Sequence, residues 1–147
     1  MKKLAIASAV ILFGFSAFAQ NTKSHFDNYI NVKTSLVNSD TKAASTAINV
    51  FYEAVKSDGN FGLKADLLKE TEKLSKASSI EKQRDAFSDV SEVMWKLVKN
   101  SDKINQDVYY QYCPMKKAYW LSNEKAIKNP YYGSSMLSCG KVAETKR

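Results

Sequence analysis

Between residues 22 and 101 apolar residues recur every three or four positions, in four runs that each end at a short polar break. Such spacing places the apolar residues of each run on one helical face. In the first run Ser24-x-x-Asp27 reads as a capping box, with Phe26, Tyr29/Ile30, Lys33 and Leu36/Val37 at helical spacing. Asn38-Ser-Asp40 breaks that run, and Asp40 is placed to cap a second helix bearing Ala44, Ala47, Ile48, Phe51 and Val55 on one face. Asp58-Gly59-Asn60 ends it. A third helix, from about Leu63 to Ser75, turns Leu63, Leu67, Leu68 and Leu74 inward. Ser78-x-x-Glu81 reads as the capping box of a fourth, whose stripe is Ile80, Phe87, Val90, Met94, Leu97 and Val98, ending near Asn100. The expected fold is mainly α: an up-and-down four-helix bundle over about 22–101, with short turns.

The texture changes beyond residue 106. Val108-Tyr-Tyr-Gln-Tyr-Cys113 is β-branched and aromatic, a strand-like run closed by Pro114. Seven Tyr and Trp residues crowd between Tyr109 and Tyr132, and Asn129-Pro130 and Gly133 mark turns. This predicts a compact cap over about 106–142, containing a short strand and irregular Tyr-rich chain.

The start of the chain reads as export. Lys2 and Lys3 precede an apolar run from Leu4 to Phe15, and Ala17-Phe-Ala19 has the small-x-small cleavage pattern. Residues 1–19 are therefore expected to be a signal peptide and 20–147 a single exported, periplasmic domain with no stable membrane insertion after cleavage. The formal charge is +7, but lysines alternate with acids, as in Lys64–Asp66–Lys69–Glu70–Glu72–Lys73. That is a solvated helix face, and with export it argues against a nucleic-acid partner.

The cap holds both cysteines and two of the four methionines, in Cys113-Pro-Met115 and Met136-Leu-Ser-Cys139. Thiolates with thioethers suit a soft ion, Cu(I) or Ag(I). If residues 108 to 113 are extended, Cys113 and Met115 lie at i and i+2 and project to the same side, and Pro114 between them makes a rigid two-donor claw. If 134–139 is a helical turn, Met136 and Cys139 share a face at i and i+3. Trp120 is a candidate for the surroundings of such an ion through a cation–π contact. Two cysteines in an exported chain also suit a Cys113–Cys139 disulfide, and both readings stand at this point. His25, the single histidine, reads as a surface residue at a helix start. Asp85, Asp89 and Glu92 read as solvated carboxylates. No G-x-S-x-G, H-E-x-x-H or phosphate-binding glycine loop occurs, so no enzymatic role is expected.

The series Cys113-Pro-Met, Trp120-Leu-Ser, Asn129-Pro-Tyr-Tyr-Gly and Met136-Leu-Ser-Cys-Gly resembles a bacterial exported family, domain-of-unknown-function family 3347. The resemblance is close over the last 40 residues and looser over the helices. That family also occurs appended to periplasmic adaptor subunits of heavy-metal efflux systems. The resemblance implies copper or silver handling, with efflux components as partners and Cys113, Met115, Met136 and Cys139 at the motif positions.

Overall fold

The computed structural model describes residues 17–147; the basic start and the whole Leu4–Phe15 apolar run of the expected signal peptide lie outside them. The chain forms α1 (Ala17–Val37), α2 (Thr41–Ser57), α3 (Lys64–Ser75) and α4 (Ile80–Lys99), then β1 (Val108–Cys113), β2 (Ala118–Ser122), a 3-10 turn η1 (Gly133–Met136) and β3 (Lys141–Lys146). The fold is mainly α with a C-terminal cap, as the periodicity predicts.

Each helix packs on the next, and α4 returns against α1 to close the bundle. The inward faces are largely the predicted ones: Ala44, Ile48, Phe51 and Val55 of α2 are buried, as are Phe87, Val90, Met94 and Val98 of α4. Asp40 caps α2, its carboxylate accepting the Ala43 amide at 2.9 Å. Two cap expectations need correction. Ser24 does not begin α1, which runs unbroken from Ala17; Asp27 instead pairs with Lys23 at 2.6 Å, one helical turn back. The cap of α4 is Ser79 rather than Ser78, its hydroxyl accepting the Lys82 amide at 3.3 Å. Adjacent serines make that shift invisible to a pattern.

The three strands form one antiparallel sheet in the order β2-β1-β3. Tyr110 stacks on Trp95 of α4 at 4.6 Å, so one face of the sheet lies on the bundle. On the other, buried Gln111 donates its amide to the Glu124 and Lys125 carbonyls at 3.1 Å, fastening the loop after β2. A buried relay ties the layers together. The Leu121 amide donates to the Tyr29 hydroxyl (3.0 Å), which meets Ser91 Oγ (2.7 Å), and Ser91 donates to the Phe87 carbonyl (2.7 Å). Val108, Trp120, Leu121 and Tyr131 accordingly share one buried cluster with Phe26, Phe51 and Phe87.

Arg84 supplies a second joint. It donates to the Pro130 carbonyl (2.8 Å), the Leu36 carbonyl (3.0 Å) and Ser39 Oγ (2.9 Å), closing the end of α1 against the cap. Gly133 lies in that joint at φ +56°, where a Cβ would stand 2.5 Å from Ser39 Oγ.

Candidate functional site

Sheet register brings the cysteines together. Cys113 ends β1, and β1 pairs antiparallel with β3 with Tyr112 opposite Lys141. Residue 113 therefore lies beside the chain just before β3, which is where Cys139 stands. The two Sγ atoms are 3.7 Å apart, and both cysteines are free thiols. Neither the β3 pairing nor its register was legible in the sequence, yet it creates the site.

Two residues seat Cys139. Asn129 is fully buried, and each of its polar atoms is used. Its Nδ2 donates to the Cys139 carbonyl (2.7 Å), its Oδ1 accepts the Tyr131 amide (2.8 Å), its amide donates to the Leu137 carbonyl (2.8 Å) and its carbonyl accepts the Gly133 amide (3.0 Å). The sequence marked Asn129-Pro130 as a turn; its larger role is to hold both ends of the 129–139 loop. Gly140, at φ +153°, lies flat on the edge of Trp120, where a Cβ would come 2.8 Å from the ring and 3.1 Å from the Tyr112 carbonyl. The aromatic plate thus sets the approach of the chain that carries Cys139.

The methionines are placed differently from each other. Met136 is half-buried, and its carbonyl accepts the Cys139 amide at 3.1 Å, so the two share a helical turn as the i, i+3 spacing predicts. Met115 does not continue the strand. Pro114 to Lys117 form the β1–β2 turn, in which the Lys117 amide donates to the Cys113 carbonyl at 2.8 Å. The expected extended i, i+2 arrangement is therefore lost: Cys113 is fully buried while Met115 is 64% exposed. Lys116 of the same turn donates its backbone amide to Cys113 Sγ (3.4 Å) and its ammonium to Asp85 (2.5 Å), holding the turn to α4. Burial pushes the Cys139 thiol above its ordinary value and the adjacent Cys113 adds to that, while the Met115 amide pulls the other way. Trp120 is wholly buried, edge-on to Tyr131 at 6.0 Å.

His25 is not the surface residue expected. It is buried against Phe61, ring centroids 5.4 Å apart, with Nε2 2.9 Å from Asp58, and Asn21 also donates to Asp58. The reason is that α1 extends past Ser24, so His25 falls inside the helix against the end of α2. Among the described residues no three His, Cys, Asp or Glu side chains gather as a metal-binding group.

Lys33, which the α1 stripe places among apolar positions, is buried, and its ammonium donates to Ser122 Oγ at 3.0 Å. Burial lowers it to about 8, Glu124 opposing and Lys128 assisting the shift. Above pH 8 the folded chain has released this proton while the unfolded chain still binds it, so stability rises with pH. Over pH 8–9 the gain is about 1 kcal/mol. Urea unfolding should show that rise and Lys33→Met should flatten it. Cys139, Tyr29, Tyr110 and Tyr131, all raised, act in the opposite sense at higher pH, because there the folded chain keeps protons that the unfolded chain sheds.

The architecture thus defines a four-helix domain with an antiparallel cap that carries a close pair of thiols. The chain belongs to the family described as "Protein of unknown function (DUF3347)", which it matches over residues 26–106. The match covers the helical part and stops two residues before β1, so the motif series of the cap, on which the closer resemblance was expected, lies beyond it. No curated protein and no solved structure matches the chain.

Proposed function

We propose that this chain is a non-enzymatic, exported periplasmic protein that binds Cu(I) or Ag(I) between Cys113 and Cys139, for sequestration or handover to efflux components. The observation that carries the reading is the 3.7 Å separation of two sulfurs 26 residues apart in sequence. With a metal–thiolate bond of about 2.3 Å, one ion bridging them subtends about 107°, leaving room for a further donor. Met136, half-buried in the helical turn of Cys139, is the favoured thioether; Met115, on the exposed β1–β2 turn, is the second candidate. Two thiolates and a thioether make a soft set suited to a monovalent coinage metal. Binding releases thiol protons, so affinity falls as pH is lowered, the more so because the Cys139 thiol is raised.

The test is titration of reduced, anaerobic protein with Cu(I) against a chromophoric chelator. One equivalent is expected to bind. Cys113→Ser or Cys139→Ser should weaken it by about a hundredfold or more and Met136→Leu by about tenfold, in line with losing one ligand of a soft site. Equal affinity in all four proteins would end the reading.

A second reading has its own support. Cys113 is sealed in the core, a setting that suits a structural bond better than an exchangeable ion. On this reading the chain is a helical protein-interaction domain, and the thiol pair closes as a disulfide on export. Non-reducing mass spectrometry that finds the Cys113–Cys139 bond at every copper load favours it.

A further inference from the structure

A cleft of about 370 Å³ opens between α1 and the loop after β2, with Lys33 in its lining. Its size falls in the lower range of small-molecule sites. Lys33 is 3% exposed, and its hydrogen bond to Ser122 Oγ uses one of its three donors. None of the ion pairs among the described residues involves it. A buried ammonium without a counter-charge is unfavourable unless something supplies one. The acid on the cleft wall does so only at longer range: Glu124 acts on Lys33 through space, but its ion pair is with Lys128 at 2.6 Å. Ser122 is occupied as well, since its oxygen also accepts the Glu124 amide at 3.1 Å. The cleft therefore carries two ammonium groups, Lys33 and Lys128, against the single carboxylate of Glu124, and Lys33 has no ion pair of its own. The remaining wall includes Ile30, Val37 and Leu137, and Leu137 is 43% exposed, among the few large apolar side chains that are.

A buried cation beside an apolar wall selects a ligand with the converse pattern. We propose that this cleft binds a small amphipathic carboxylate, its head paired with Lys33 and its hydrocarbon tail against Ile30, Val37 and Leu137. Such a ligand provides the ion pair that Lys33 lacks and covers apolar surface otherwise left in water. The cleft is built from different side chains than the thiol pair, so the inference stands whichever reading of the cysteines holds.

The experiment is an NMR titration of the ¹⁵N-labelled protein at neutral pH with hexanoate, with acetate and hexan-1-ol as head-only and tail-only controls. Hexanoate should give saturable shifts at the amides of Lys33, Thr34, Asn123 and Leu137, each control binding more weakly. Lys33→Met should weaken hexanoate by at least about tenfold, as expected for losing a charge-assisted hydrogen bond. That variant removes a buried charge and keeps the alkyl stem, so it should fold. Leu137→Ser, at a half-open position, weakens binding with the ammonium intact. Absence of saturable shifts in wild type, shifts centred elsewhere, undiminished binding in Lys33→Met, or equal binding of hexan-1-ol would each overturn the proposal.

Discussion

Trp120→Ala is expected to lower unfolding stability by about 3–5 kcal/mol, read from the urea midpoint at constant slope. Trp120 heads the fully buried side chains by volume and stands edge-on to Tyr131. Tyr131 in turn donates to the Tyr119 carbonyl and faces Phe87 of α4 at 6.3 Å. Its removal thus opens a cavity where the cap meets the bundle, and a loss of that size is a large part of the stability of a small domain. The effect reaches the thiols through Gly140, which rests on the ring. Without that plate the chain before β3 loses its seat, so air oxidation of Cys113 with Cys139 should slow in the folded variant. Trp120→Phe separates packing from ion contact. It keeps an aromatic plate and deletes an indole N–H that is buried without a partner. Stability should fall by much less than in the alanine variant, and Cu(I) affinity should be unchanged if the ring serves as packing. A Phe variant that holds its fold but loses Cu(I) would assign the indole to the ion's surroundings.

The parts of this fold that were legible in the sequence are those set by local periodicity. Four helices and the β1 boundaries follow from apolar spacing and from Val108-Tyr-Tyr-Gln-Tyr-Cys113. The two other strands were missed for different reasons. Ala118–Ser122 is apolar through its centre and too short to show alternation, while Lys141–Lys146 is an exposed edge whose Val and Ala hardly interrupt a polar run. Edge strands are specified by the partner they pair with, and here that partner is β1. The candidate site was half legible. The cysteines, methionines and turn signals were visible, but the convergence of Cys113 with Cys139 depends on a β1–β3 register that no local signal encodes. Pro114 does not stiffen an extended two-donor claw; it begins the turn that carries Met115 into solvent. His25 and Lys33 show both outcomes of stripe reasoning. Lys33 falls on the apolar stripe and is buried, whereas His25 is buried because the helix start lies further upstream than Ser24 suggests.

Oxidising the thiol pair should raise unfolding stability by about 3.5 kcal/mol for a closed loop of 26 residues in the chain-entropy treatment. For a domain of this size that is a rise in Tm of about 10 °C or more. Little rearrangement is needed, because the sulfurs already touch and both backbones are held, Cys113 by the sheet and Cys139 by Asn129. The raised Cys139 thiol makes the reaction slow near neutrality and faster in mild base, since the thiolate is the attacking species. The measurement is paired thermal unfolding of oxidised and reduced protein, with Cys113→Ser/Cys139→Ser as the reference that neither condition alters. Equal Tm values for the two redox forms would mean that closing the bond strains the folded chain by as much as it restricts the unfolded one. The same pair of electrons decides between the two uses of the site. A sulfur engaged in a disulfide has no thiolate to give a metal, so Cu(I) added first should protect both thiols from oxidation, and prior oxidation should abolish Cu(I) binding until reductant restores it. If Cu(I) binds the oxidised protein as tightly as the reduced one, the ion is held elsewhere and the thiols are structural.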